Sequence, residues 1–191
     1  MTSVSTNLDP AIFPPQYSYP PFFTRQPNST TWASQRLLWA TFILQYCRAR
    51  KLWKAQLSEV LESELFWNRA LGRRLKPADA VEILSWMSKE GQIEWETTNT
   101  TTTATATDKS AFYIYWRRVD EWANIIYDWI DSTGQKNAVL TLYEISEGDL
   151  SVSQEFHGMD PHLVRKSLEV LMKRGVAQIF SINDEFGVKF F

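Results

Sequence analysis

One pattern occurs twice along this chain. Met87-Ser88-Lys89-Glu90-Gly91-Gln92-Ile93-Glu94-Trp95 and Met172-Lys173-Arg174-Gly175-Val176-Ala177-Gln178-Ile179-Phe180 each read as a helix tail, a glycine stop and a strand. The two glycines lie 84 residues apart (175 − 91). Glycine accepts the left-handed conformation that closes a helix, which makes it a stop signal. With 191 residues there is room for one medium domain or two small ones. The doubled pattern favours two small domains of the same design over one mixed domain.

The segments before each copy agree with this. Asn28 or Ser29 can cap a helix running to about Arg50, with Trp39, Phe42, Ile43, Tyr46 and Cys47 on one face. Residues 57–71 are expected to form a shorter helix ending near Gly72. Pro77 fits the first turn of a third helix, whose inner stripe is Ala80, Ile83, Leu84 and Met87. Ile93 and Trp95 then begin a strand, residues 97–107 form a Thr- and Ala-rich loop, and Ala111 to Trp116 return. In the second half, Asp120 is expected to cap a helix lined by Trp122, Ile125, Ile126, Trp129 and Ile130, closing at Gly134. Val139–Ile145 reads as a strand and Val152–His157 as a brief helix. Asp160-Pro161 opens a helix lined by Leu163, Val164, Leu168, Leu171 and Met172, before a hairpin of Val176–Phe180 and Gly187–Phe191. The expected fold class is α+β, mostly helical: two tandem winged-helix domains, 28–118 and 119–191, preceded by an extended Pro-rich N-terminal arm, 1–27.

The arm holds two Pro-Pro-x-aromatic units, Pro14-Pro15-Gln16-Tyr17 and Pro20-Pro21-Phe22-Phe23. Proline fixes φ near the polyproline II value and offers no N–H. A pre-extended tail loses little entropy on docking, and its rings suit pockets on another protein. The expected partner-binding residues are therefore Pro14, Pro15, Tyr17, Pro20, Pro21, Phe22 and Phe23, with the rings as anchors.

Catalysis finds no support. His157, His162 and Cys47 have no metal-ligand spacing, no Gly-rich phosphate loop occurs, and Asp128 and Asp131 fit a solvated helix face. No cofactor is expected, and neither is an enzyme. A lone cysteine and the lack of a basic start followed by an apolar run suggest a reducing, cytosolic setting. The net charge of −2 and pI near 5.8 give no broad attraction to nucleic acid or anionic lipid. Lys76–Glu90 carries a net −1 (two cations, three carboxylates), poor for a helix among phosphates. Asp160–Arg174 carries a net +2 (four cations, two carboxylates), which keeps a nucleic-acid-binding or transcription-associated factor as the alternative.

The arm together with Tyr19-Pro20-Pro21-Phe22-Phe23-Thr24, Gln26-Pro27-Asn28, Trp116-Arg117-Arg118, Glu121-Trp122, Thr141-Leu142-Tyr143-Glu144-Ile145, Glu155-Phe156-His157-Gly158 and Gly187-Val188-Lys189-Phe190-Phe191 resembles the vacuolar protein-sorting-associated protein 25 family, small subunits of the ESCRT-II complex. The resemblance implies tandem winged helices and a Y-shaped cytosolic complex with two copies of this subunit, peripheral on endosomes. It implies that the arm docks on winged helices of the two other ESCRT-II subunits. It further implies that the C-terminal domain recruits the ESCRT-III subunit vacuolar protein-sorting protein 20, for sorting ubiquitinated cargo into multivesicular bodies. Membrane contact would then be indirect, and no nucleic acid is expected. Phe23 replaces the tyrosine that ends the second unit in the family, so any hydrogen bond from that hydroxyl is lost.

Overall fold

The computed structural model describes residues 9–96, 110–182 and 185–191. The Thr-rich segment 97–107 lies outside the described residues. Two compact units divide the chain, Met1–Trp116 and Arg117–Phe191.

The first unit runs α1 (Ser29–Ala49), β1 (Lys54–Gln56), α2 (Leu57–Glu62), β2 (Trp67–Asn68), β3 (Arg73–Arg74), α3 (Pro77–Lys89), β4 (Ile93–Trp95) and β5 (Ala111–Ile114). The second runs α4 (Val119–Ser132), β6 (Val139–Thr141), α5 (Leu142–Ser146), α6 (Pro161–Lys173), β7 (Ala177–Ile182) and β8 (Glu185–Phe190). Both contain a three-stranded antiparallel sheet built in the same order, β1-β5-β4 and β6-β8-β7. In each, the last strand of the unit lies between the first and the last but one. The doubling seen in the sequence is therefore a doubling of topology. Gly91 (φ +71°) and Gly175 (φ +75°) end α3 and α6 in the left-handed region, where other residues are strained.

Helix boundaries follow local chemistry. The Asn28 side chain accepts from the Thr30 and Thr31 amides at the start of α1. Asp160 does the same for His162 at the start of α6, with Pro161 in the first turn. α4 begins at Val119 with Arg118 at its cap, so Asp120 stands inside the first turn rather than before it.

Four expectations are corrected. The helix expected over 57–71 stops at Glu62. The Ser63 hydroxyl donates to the Val60 carbonyl and accepts from the Leu65 amide, offering the backbone an alternative to helix. Leu65 and Phe66 turn into the core, and a two-stranded hairpin follows. The strand expected over Val139–Ile145 yields to a helix after Thr141. Thr141 and Glu144 form a reciprocal capping box, with Thr141 N to Glu144 Oε2 at 2.7 Å and Glu144 N to Thr141 Oγ1 at 3.1 Å. The helix expected over Val152–His157 is replaced by a single 3-10 turn, Asp149–Ser151. There Ser151 is buried, donating to the Gly148 carbonyl and lying 2.9 Å from His157 Nδ1. Met172, expected inside α6, is exposed, while Leu163, Val164, Leu168 and Leu171 are buried.

Each unit has its own core. α4 and α6 contribute Trp122, Ile126, Ile130, Val164 and Leu168 to the second, with Val188 and Phe190 from β8. Replacing Thr141 by alanine should remove the capping box and lower the stability of the second unit by about 1 kcal/mol. Urea unfolding of the wild type and the variant, followed by far-ultraviolet circular dichroism, measures the difference.

Candidate protein-docking surface

The proline segment is not an extended arm. Residues Pro15–Ser18 and Pro20–Phe23 form two successive 3-10 turns. Four amides find a carbonyl three residues back: Tyr17 to Pro14, Tyr19 to Gln16, Phe22 to Tyr19, and Thr24 to Pro21, at 2.9–3.1 Å. The proline φ near −65° suits a 3-10 turn as well as polyproline II. What selects the turn is packing against α1.

Phe22 stacks on Trp39 with centroids 4.3 Å apart and planes 8° from parallel. Phe23 meets the same indole edge-on at 5.6 Å. Tyr17 lies 5.3 Å from both Phe23 and Phe42, and Phe13 lies 4.8 Å from Tyr17. All four of these rings are buried in the core of the first unit. The expectation that Tyr17, Phe22 and Phe23 are offered outward as anchors is therefore overturned for this structure: they anchor the segment to its own domain. Burying an aromatic side chain contributes about 1.5–3 kcal/mol, so four rings are comparable to the 5–15 kcal/mol that keeps a typical domain folded.

Side-chain amides fix the backbone of this segment. The Phe22 carbonyl accepts from Gln35 Nε2 at 2.7 Å and from Trp39 Nε1 at 3.1 Å. Asn68 Nδ2 donates to the Tyr17 carbonyl at 2.9 Å, and its Oδ1 accepts from the Leu71 amide at 3.0 Å. Gln35 and Asn68 are themselves buried, so an unmade bond here would be costly. Neither figures in the sequence reading. Gln35 lies one helical turn before Trp39 and was recoverable from the α1 periodicity; Asn68 gives no such signal. Beyond the second turn, Arg25 pairs with Glu82, lies 3.8 Å from Asp79 and covers the Trp32 ring, while Trp32 Nε1 donates to Glu82 at 2.8 Å.

With the rings turned in, the prolines turn out. Pro15, Pro20 and Pro21 are exposed, Pro14 is half-buried, and Tyr19 is 62% exposed. A groove of about 350 Å³ lies between this segment and α1, lined by Gln16, Tyr19, Pro21, Phe22, Gln35 and Leu38. Leu37 and Leu38 expose further apolar surface beside it. The surface is stiff, mostly apolar and lacks ionised groups in its lining, which suits docking of another protein's apolar surface.

Burial also perturbs titration here. It pushes the Tyr17 phenol well above its ordinary value, aided by Glu64, whose carbonyl accepts the Tyr17 hydroxyl. Tyr46 is raised to about 12, first by burial and then by Glu64, which also hydrogen-bonds its hydroxyl at 3.3 Å. Burial raises the Cys47 thiol to about 12. Among the described residues, no group of three or more His, Cys, Asp or Glu side chains is placed to hold a metal ion, and no helix is long and apolar enough to cross a membrane. Asp131 pairs with Lys136 at 2.6 Å, a surface contact.

A family model described as "ESCRT-II complex subunit" matches residues 16–160. The chain belongs to the ESCRT-II subunit family. Vacuolar protein-sorting-associated protein 25 of Xenopus laevis is 41% identical over 179 residues, covering 94% of this chain and 98% of that protein. The Homo sapiens protein is 39% identical over 180 residues, covering 94% and 97%. Among solved structures, that of subunit VPS25 of the endosomal trafficking complex ESCRT-II superposes with a TM-score of 0.82 at 33% identity, covering 95% of this chain and 99% of that one. The VPS22/VPS25/VPS36 complex structure contains a chain that superposes with a TM-score of 0.79 at 34% identity, covering 93% and 98%. Membership places this ESCRT-II subunit among components of a trafficking complex and not among enzymes.

The raised phenols give a signed pH dependence. A group whose folded pKa exceeds its unfolded value contributes stability fully below the unfolded value, near 10 for tyrosine, and loses it as pH rises through the folded value. For Tyr46 that window is pH 10 to about 12. The melting temperature of the ESCRT-II subunit should fall across this window, and Tyr46→Phe should flatten the fall; scanning fluorimetry in buffers of increasing pH measures both.

Proposed function

We propose that this chain acts as a connecting subunit of an ESCRT-II complex, built from two winged-helix domains. The first domain docks on winged helices of sister subunits of the VPS22 and VPS36 kind. The second receives the ESCRT-III subunit vacuolar protein-sorting protein 20, so that the assembly works at the endosome surface in sorting ubiquitinated cargo into multivesicular bodies. Support for winged helices comes from the repeated order of helices and strands and from the shared strand order of the two sheets. Support for the sister subunits comes from the similarity to a chain of the three-protein complex.

The observation that carries the docking role is the division of labour within the proline units. Their aromatic ends, Tyr17, Phe22 and Phe23, are buried, while Pro15, Pro20, Pro21 and the intervening Tyr19 face outward on a braced segment. The bracing leaves little conformational entropy to lose on binding. Tyr19 is the large ring available at this surface, and Pro14, Pro15, Pro20 and Pro21 frame it. Tyr17, Phe22 and Phe23 contribute by holding that frame.

A nucleic-acid role has weaker support. α3 keeps its net negative balance, and two of the four cations of Asp160–Arg174 are held within the unit: Arg165 pairs with Glu169 at 3.3 Å, and Arg174 lies 3.6 Å from Asp120 and contacts Asn124.

Coexpression with the sister subunits tests the proposal. Removing residues 1–27 would take buried rings from the core and unfold the first unit, so point changes at the surface are required. Tyr19→Ser combined with Pro21→Ala should leave the melting temperature unchanged and weaken copurification with the sister subunits by about tenfold or more. Undiminished copurification would refute this docking surface.

A further inference from the structure

The hairpin between α2 and α3 carries a local positive charge. Residues 65–78 hold four cations, Arg69, Arg73, Arg74 and Lys76, and no carboxylate, within a chain of net charge −2. Trp67 pairs with Arg74 and Asn68 with Arg73 across the hairpin. Strands of two residues run only about 7 Å, so these cations lie within about a Debye length at physiological salt and act as one patch.

The patch is ordered. The Arg69 guanidinium lies 4.6 Å from the Trp67 ring centroid and that of Arg74 lies 5.6 Å from it, so both cover a half-buried indole. Glu62 pairs with Arg74 and neutralises one charge. Arg73 and Lys76 are exposed and have no ion pair among the described residues. At the tip stand Ala70, Leu71 and Gly72, all exposed, with Leu71 the large apolar side chain.

An aliphatic tip between cations, backed by an indole, matches the layered chemistry of a bilayer surface. Cations meet lipid phosphates, an indole sits at headgroup level, and an aliphatic side chain enters the acyl boundary. A single-stranded nucleic acid would call for exposed rings on which bases stack, and the Trp67 ring is already covered by guanidiniums. We propose that the Trp67–Arg74 hairpin, with Lys76, is a direct contact for an anionic lipid surface. This goes beyond the docking role and uses none of the outward prolines.

The test uses the full chain and sedimentation with phosphatidylcholine vesicles, with or without phosphatidylserine. The chain should partition onto the phosphatidylserine vesicles, less so as salt rises, and not onto phosphatidylcholine alone. Combined Arg69→Ala, Arg73→Ala and Lys76→Ala changes should lower partitioning by about a hundredfold, on the order of fivefold per cation. Leu71→Ser should lower it with no change in net charge. Arg73 and Lys76 are exposed and make no ion pair among the described residues, so the Arg73→Ala, Lys76→Ala double variant should keep the wild-type melting temperature and still lose partitioning by about twenty-fivefold. Equal partitioning of the triple variant, equal binding to both kinds of vesicle, or tighter binding to short DNA than to vesicles would each overturn the proposal. So would a triple variant that no longer copurifies with the sister subunits, because the patch would then belong to the complex interface. Failure of the Tyr19 and Pro21 variant to lose copurification bears on the docking role alone.

Discussion

The stack of Phe22 on Trp39 is the contact on which the first unit's surface depends. The ring lies flat on the indole while the carbonyl of the same residue takes hydrogen bonds from the indole N–H and from Gln35. Apolar burial and hydrogen bonding thus act on one residue, and neither can be released without losing the other. Aromatic pairs of good geometry add about 0.5–1.5 kcal/mol beyond the area they bury, and the Trp39 indole N–H would be orphaned if the carbonyl left. The proline segment is consequently part of the domain. Its outward face inherits the rigidity of α1.

This coupling links stability to recognition. A free tail would have to be ordered when it met a partner, at a cost per residue. Here that cost is met at folding, by rings buried in the core of the first unit. The same logic explains the weight of polar side chains in an aromatic core. Asn68 joins the Tyr17 backbone to the tip of the basic hairpin, so the proline segment and the hairpin are set by one buried amide.

Charge is distributed unevenly over the surface. The groove beside the proline segment is lined by neutral side chains, whereas carboxylates and cations pair elsewhere, as at Arg25 with Glu82, Arg117 with Glu155 and Arg50 with Glu64. Exposed pairs of this kind contribute little to stability, and they leave the chain close to neutral overall. Against that background a local cluster such as Arg69, Arg73 and Lys76 stands out, because no long-range field masks it.

Much of the architecture was legible before any coordinates. α1, α3, α4 and α6 follow from apolar spacing, from Asn28 and Asp160 as caps and from Pro77 and Pro161 in first turns, and the glycine stops at 91 and 175 revealed the doubling. Those signals are local: a cap, a stop and a 3.6-residue period act within a turn or two. Thr141-Leu142-Tyr143-Glu144 was also a local signal, a capping box hidden by the β-like run around it. The short strand β1 was harder to see, because a three-residue strand is defined by its partner, which comes from the far end of the unit. The face of the proline segment was undetermined for a deeper reason. Proline sets φ and leaves ψ open, so the same residues fit an extended arm or a pair of 3-10 turns. Only the position of Trp39, Gln35 and Asn68 in the folded domain chose between them, and with that choice decided which side of each Pro-Pro-x-aromatic unit faces the world.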